Sequence, residues 1–427
     1  MKNVLLTAFL GLSVLVNAQD YVRQVLVINE GYYDYTNAMI LEPVTVGAYD
    51  PSSGTYQTIN TLTGMRFASD AIIAGDAYYV AADQKIFKFD LNTHQQLAEV
   101  TFSGVRNLAF NNGKIVASRG EYLTTFDSYL HVYNASDLSF VAAIDTIAGP
   151  KWATQNLISD GNYVYVAINN GYEWGNEKGI IGRLDMTSLI YGNEIDLGPD
   201  GKNPDNMVLY NGHLYTINNK DWSGASISRI SLDGASNSTV NIASASTGCG
   251  TSALRSDRIV YQISGESVLN EFDAAVMNNV GPVNGFNESY YELAQDPVSG
   301  FMYTSVTDYF SFGKVNIYDN TNSFISSFNT GVSPGTIVFD VQPLSGISET
   351  KSSAVSIYPN PTNDQLNIIS DMASSYELTD LSGKIVTSNR ITAGVNSISV
   401  SAIPSGTYVC TLFKEDGTVH RSKITKN

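Results

Sequence analysis

Asp160-Gly161-Asn162-Tyr163-Val164-Tyr165-Val166-Ala167-Ile168 joins a tight-turn signal to a run of β-branched and aromatic residues, and the same phrase returns along most of the chain. Its turns fall at Gly75-Asp76, Asn112-Gly113, Asp160-Gly161, Asn211-Gly212, Ser256-Asp257 and Ser299-Gly300, roughly forty to fifty residues apart. A strand follows each turn: residues 77–81 (AYYVA), 114–118 (KIVAS), 163–168 (YVYVAI), 213–217 (HLYTI), 258–263 (RIVYQI) and 301–305 (FMYTS). A further strand succeeds it at 85–90 (KIFKFD), 130–133 (LHVY), 180–185 (IIGRLD), 227–232 (ISRISL) and 314–319 (KVNIYD). Four short strands per repeat is the grammar of a propeller blade.

Six repeats are complete, and the two ends supply a seventh. Residues 25–29, 46–50 and 56–60 read as the second, third and fourth strands of a blade that lacks its first. Ser333-Pro334-Gly335-Thr336-Ile337-Val338-Phe339-Asp340 reads as a first strand with no blade behind it. Pairing them closes a ring and removes two exposed sheet edges. The expected fold is therefore all-β, a seven-bladed β-propeller over residues 19–343 followed by a small C-terminal β-sandwich.

Composition agrees with a packed, exported chain. The sequence is 43% hydrophobic and only 15% charged, which excludes a disordered polyelectrolyte. A formal charge of −17 opposes nucleic-acid phosphates and anionic lipid, so neither is an expected partner. Met1-Lys2-Asn3, the apolar run 4–16 and Val16-Asn17-Ala18 have the three parts of a cleavable secretion signal, residues 1–18. That apolar run falls short of the roughly twenty residues a membrane-spanning helix needs. The two cysteines, Cys249 and Cys410, fall in different domains and supply no disulfide framework.

Residues 344–353 are small and polar and read as a linker. Beyond it, over residues 354–427, come Tyr358-Pro359-Asn360-Pro361, then Asp380-Leu381-Ser382-Gly383-Lys384, then Ser405-Gly406-Thr407-Tyr408. This order and spacing resemble the type A C-terminal sorting domain of the type IX secretion system. The resemblance implies export by that machinery, as a secreted or cell-surface protein.

In an up-and-down blade, the loops from second to third strand and the blade-to-blade loops emerge at one end of the ring. The first kind holds Tyr32, Tyr33, Tyr35, Tyr122, Tyr172, Trp174, Trp222, Tyr309 and Phe310, and the second holds Arg66, Arg106, Trp152 and Asn203. Aromatic side chains with a polar handle collect at binding surfaces, so these residues are the candidate ligand-binding face. Acidic loop residues Glu30, Asp34, Glu121, Asp127, Glu173, Glu177 and Asp221 could converge there, as acid/base pairs or a Ca²⁺ site would require, which makes Ca²⁺ a candidate ligand. The four histidines lie far apart, and no nucleophile elbow, zinc motif or phosphate loop occurs, so no catalytic or metal residues are assigned.

Val27-Ile28-Asn29-Glu30-Gly31-Tyr32, the Ala48-Tyr49-Asp50-Pro51-x-x-Gly54 phrase and Ser333-Pro334-Gly335 resemble the exported seven-bladed propellers of Bacteroidetes. Some of those capture cobalamin above an outer-membrane transporter. The resemblance implies cobalamin or a similar bulky nutrient as ligand and a transporter as partner. Those relatives look like lipoproteins, whereas Ala18-Gln19-Asp20 has no cysteine to lipidate, so the sorting domain would replace that anchor. Three readings stay open: a propeller that binds a small molecule or glycan, a secreted lyase or hydrolase acting on polysaccharide or lactone, and an adhesion or scaffold protein.

Overall fold

A computed structural model describes residues 20–248, 252–343, 355–370, 374–414 and 419–427. The secretion signal, the 344–353 linker and Cys249 lie outside the described residues. The chain divides into two units, Asp20–Pro343 and a C-terminal unit.

The first unit is seven four-stranded antiparallel sheets. Blades II to VII are each contiguous in sequence, with innermost strands Asp70–Ala74, Val105–Asn111, Thr154–Asp160, Pro204–Tyr210, Ser252–Arg255 and Leu293–Gln295. Blade I takes its innermost strand, Pro334–Pro343, from the end of the unit and its other three, Asp20–Asn29, Val44–Asp50 and Thr55–Leu62, from the beginning. The closing pair is antiparallel with Val27 opposite Ile337 and Leu26 opposite Val338. Each innermost strand packs beside the next around the ring, including Pro334–Pro343 beside Asp70–Ala74. Ring closure is therefore made as the two orphan segments required.

The turns explain the recurring glycines. Asn112 and Gly113 have φ of 46° and 73°, and Asn211 and Gly212 have 46° and 71°, the paired positive values that a two-residue hairpin turn demands. The second strands are buried almost throughout, as in Ala77–Ala82, because neighbouring blades cover both faces of each sheet. Core clusters accordingly span blade boundaries: Val116, Leu130 and Val132 of blade III pack with Val164, Val166 and Leu184 of blade IV. Across the closure, Tyr49 of blade I stacks on Phe328 of blade VII with centroids 4.0 Å apart.

Much of the tyrosine content serves these boundaries. Tyr79, Tyr165 and Tyr215 occupy matching places in their second strands, and each donates its hydroxyl to a main-chain carbonyl of the following blade. Their acceptors are Ala135, Leu232 and Ala274, at 2.6, 3.0 and 2.7 Å. At the far end of the blades, Asp50, Asp90, Asp185 and Asp319 cap the third-to-fourth turns by accepting main-chain N–H bonds. One loop holds more structure than the sequence suggested: Tyr32–Asp34 and Met39–Glu42 form a small hairpin.

The C-terminal unit is two sheets, one of Ser356–Tyr358, Gln365–Ser370 and Gly394–Ser399, the other of Ser374–Asp380, Ile385–Ile391, Gly406–Lys414 and Val419–Lys426. Its motifs have structural duties. Asn360 donates to the carbonyl of Lys423 at 2.7 Å and accepts the amide of Thr425 at 2.8 Å, clamping the final strand. Asp380 caps the turn to Lys384, and Tyr408 donates its hydroxyl to the Pro404 carbonyl. Cys410 is a buried free thiol among Leu366, Leu378 and Leu412, its pKa pushed up to about 12 by burial, which makes it a small apolar core residue.

Candidate ligand-binding site

The innermost strands begin with a shared device. Six of them place two consecutive residues on a central cavity of about 390 Å³: Ser69-Asp70, Arg106-Asn107, Gln155-Asn156, Asp205-Asn206, Tyr291-Glu292 and Gly335-Thr336. Each pair is followed by a buried apolar residue, such as Leu108, Leu157, Met207 or Leu293, that returns the strand to the core. Strict alternation would send one member of each pair away from the channel. Pairing irregularities between Val105 and Leu108, Thr154 and Leu157, and Pro204 and Asn206 insert the extra residue that turns both inward.

Charge is concentrated at this point. Glu30, Asp70 and Asp205 all line the cavity, with Arg106 among them. Burial deep in the ring raises the pKa of Glu30 to about 7, that of Asp70 to about 7 and that of Asp205 to about 6, and Arg106 opposes each shift electrostatically. Glu30 Oε1 accepts the Tyr291 hydroxyl at 2.7 Å, and Asp70 accepts the amides of Leu108 and Ala71. Gly335 leaves the room that the Glu30 carboxyl occupies, since a Cβ at that position would lie 2.1 Å from Glu30 Oε1.

The second-to-third loops of blades IV and V form one wall. Asn169 accepts the amide of Gly171, and Asn170 donates to Glu173 and to the Asn176 carbonyl, holding the loop that carries Tyr172 and Trp174. The guanidinium of Arg106 lies 5.3 Å from the centroid of Tyr172. Trp222 adopts φ of 68°, an unusual value for a bulky residue, in a turn closed by its amide to the Asn219 carbonyl. Asn219 is itself fixed by Thr247 and Gly248. Trp174 stacks on Trp222 with centroids 6.4 Å apart.

Of the residues singled out from sequence, Arg106, Tyr172, Asn203 and Trp222 line the cavity. Trp174 extends the wall outward, and Tyr309 sets its ring edge-on to Tyr291, 5.2 Å away. Tyr32 packs edge-on to Phe310, and Tyr33 to Tyr35, in an exposed group between blades VII and I. Neither these six nor the remaining three line the cavity itself. Arg66 is committed to Asp83 and Glu121, Trp152 packs against the core of blades III and IV beneath Lys178, and Tyr122 is exposed. Among the acidic loop residues only Glu30 lines it; Asp34, Glu173 and Asp221 cap or brace their own loops, and Glu177 is buried accepting the Gly175 amide.

Sequence reading missed Asp70, Asp205, Gln155 and Tyr291. The signal was present as a polar pair at the start of five innermost strands, in SDAI, RNLA, QNLI, DNMV and YELA, but such pairs resemble ordinary loop residues until the ring is assembled. Among the described residues no group of three or more His, Cys, Asp or Glu is placed to hold a metal ion. No helix among them is long and apolar enough to cross a membrane.

Residues 356–427 match the secretion system C-terminal sorting domain family. The protein thus carries the address of the type IX export machinery and belongs outside the cell or on the outer-membrane surface. No curated protein matches the sequence. Among solved structures, the extracellular domain of BT4673 from B. thetaiotaomicron is 15% identical with a TM-score of 0.50, over 94% of this chain and 57% of that one. Dihydro-heme d1 dehydrogenase NirN in complex with DHE is 14% identical with a TM-score of 0.49, over 89% and 76%. AztD from Citrobacter koseri is 13% identical with a TM-score of 0.46, over 88% and 98%. The chain spans little more than half of the BT4673 domain, and at such identities that likeness speaks for the fold alone.

Proposed function

We propose that this exported propeller captures a ligand in its central mouth. The observation that carries the reading is the convergence of polar pairs from five blades, with Thr336 from a sixth, on one cavity walled by Tyr172, Trp222 and Tyr291. A preformed concave site with a few converging polar groups and an aromatic wall is what small-molecule recognition uses. Export by the type IX route would put that mouth where nutrients arrive.

Cobalamin is the first specific ligand to test, on the resemblance of the propeller, with an outer-membrane transporter as the partner that would follow. A corrin is broader than the cavity and would lie across the rim, over Trp174 and Tyr309. Calorimetric titration of the chain with cobalamin, oligosaccharides and Ca²⁺ tests the proposal: saturable binding that is lost on replacing Arg106 and Trp222 upholds it, and binding indifferent to those residues sinks it.

A second reading, a secreted lyase or hydrolase, draws support from one observation. Glu30, Asp70 and Asp205 are carboxyl groups with pKa near neutrality in a single cavity, the condition for general acid and base work. Release of reducing ends or unsaturated products from polysaccharide, abolished by Glu30→Gln or Asp205→Asn, would favour it over capture alone.

A further inference from the structure

The lining of the mouth narrows the chemistry of its ligand. Asp70, Asn107, Gln155, Asn156, Asp205 and Asn206 all end in planar carboxylates or carboxamides. Each carries two coplanar polar atoms, the geometry that pairs with hydroxyls on adjacent carbons, and of these six only Asp70 has both already bonded to main-chain amides, those of Ala71 and Leu108. Beside them stands an indole wall in two steps, Trp222 at the cavity and Trp174 stacked outside it with 78% of its surface exposed. An exposed Trp held on a structured loop offers a flat apolar face with little ordering left to do on binding.

The same wall is short of acceptors. Asn203 is only 2% exposed, and its Nδ2 finds no hydrogen-bond partner among the described residues; neither does the buried Nε1 of Trp222. Unpaired buried donors are costly, and both of these lie just behind the cavity surface. The positive φ of both Asn203 and Trp222 places uncommon backbone where the donors gather. Charge sets a further limit. Glu30, Asp70, Asp205 and Glu292 face one cation, Arg106, so the cavity disfavours carboxylated or sulfated ligands.

We infer that the mouth is a carbohydrate subsite for a neutral or amino-sugar unit, whose hydroxyl edge meets the planar groups while its apolar face lies on Trp222. The glycan continues outward over Trp174. This rests on reading the mouth as a capture site and names the class of molecule captured.

Calorimetry of the full chain with cellotetraose, chitotetraose, a glucosamine tetramer and tetragalacturonate tests it, with cobalamin run alongside. The expected result is saturable binding of a neutral or amino tetrasaccharide, no binding of tetragalacturonate, and about tenfold weaker binding in Trp174→Ala. That side chain is exposed, so its removal leaves the ring folded, which circular dichroism verifies. Tetragalacturonate binding, or saccharide binding unchanged in Trp174→Ala, overturns the sugar assignment. Cobalamin binding without saccharide binding also overturns it and leaves ligand capture standing, whereas silence from every probe removes both.

Discussion

Tyr291 donates its hydroxyl to Glu30 Oε1 at 2.7 Å across a separation of 261 residues. Tyr291 precedes the innermost strand of blade VII, and Glu30 directly follows the second strand of blade I, so the bond forms only once the ring has closed. Closure and site assembly are therefore one event. The strand that closes the ring also brings Gly335 and Thr336 to the cavity.

Gly335 is the point where this coupling is most exposed to mutation. In Gly335→Ala the new methyl group would meet Glu30 Oε1 at 2.1 Å and Tyr291 Cε1 at 3.1 Å. The carboxyl must move, which should break its bond to Tyr291 and cost about 1–3 kcal/mol of stability. Thermal unfolding and ligand titration should both register the change.

The raised carboxyl groups predict an unusual pH response. Glu30, Asp70 and Asp205 titrate at about 7, 7 and 6 in the fold against ordinary values of 4.5, 3.8 and 3.8. The folded chain keeps protons that the unfolded chain has released, so stability from this source declines as pH rises through that interval. The melting temperature should fall between about pH 5 and about pH 8, and the fall should shrink in a Glu30→Gln, Asp70→Asn, Asp205→Asn triple variant. The exposed turn caps Asp50, Asp90, Asp185 and Asp319 are shifted downward and act below this window.

The inter-blade tyrosines predict graded losses. Tyr79→Phe and Tyr215→Phe keep the ring packing but leave the carbonyls of Ala135 and Ala274 without their donor. Each should lower stability by about 1–2 kcal/mol in chemical denaturation. Because the two sites lie at different blade boundaries, the double variant should show nearly the sum.

Most of the fold was legible because a blade repeats. A turn pair such as Asn112-Gly113 and an apolar run such as 163–168 announce the same local physics six times, and the unmatched ends at 25–29 and 333–340 declare the closure. The site was only partly legible. Large aromatics drew attention to the loops and found Tyr172 and Trp222, yet the same rule selected Trp152, which packs into the core, and Tyr122, which stands in solvent away from the cavity. Asp70 and Asp205 escaped because a polar residue at a strand start has many ordinary explanations. Only the ring geometry, with a bulge beside Asp205, sends those side chains to a common point.

The sorting domain offers a separate test. Asn360→Ala removes the two side-chain hydrogen bonds from Asn360 to the final strand, at Lys423 and Thr425. A loss of about 1–2 kcal/mol confined to the C-terminal unit is expected, with reduced export and an unchanged propeller melting transition. Cell fractionation and calorimetry of the same variant separate the two effects.

The most direct test of ligand capture at the central mouth is a calorimetric titration of the full chain and of its Arg106→Ala, Trp222→Ala variant against cobalamin and the neutral and amino tetrasaccharides. One saturable site per chain, lost in a variant that still folds, is the predicted result. Binding that survives both substitutions, or no binding by the intact chain, would contradict it.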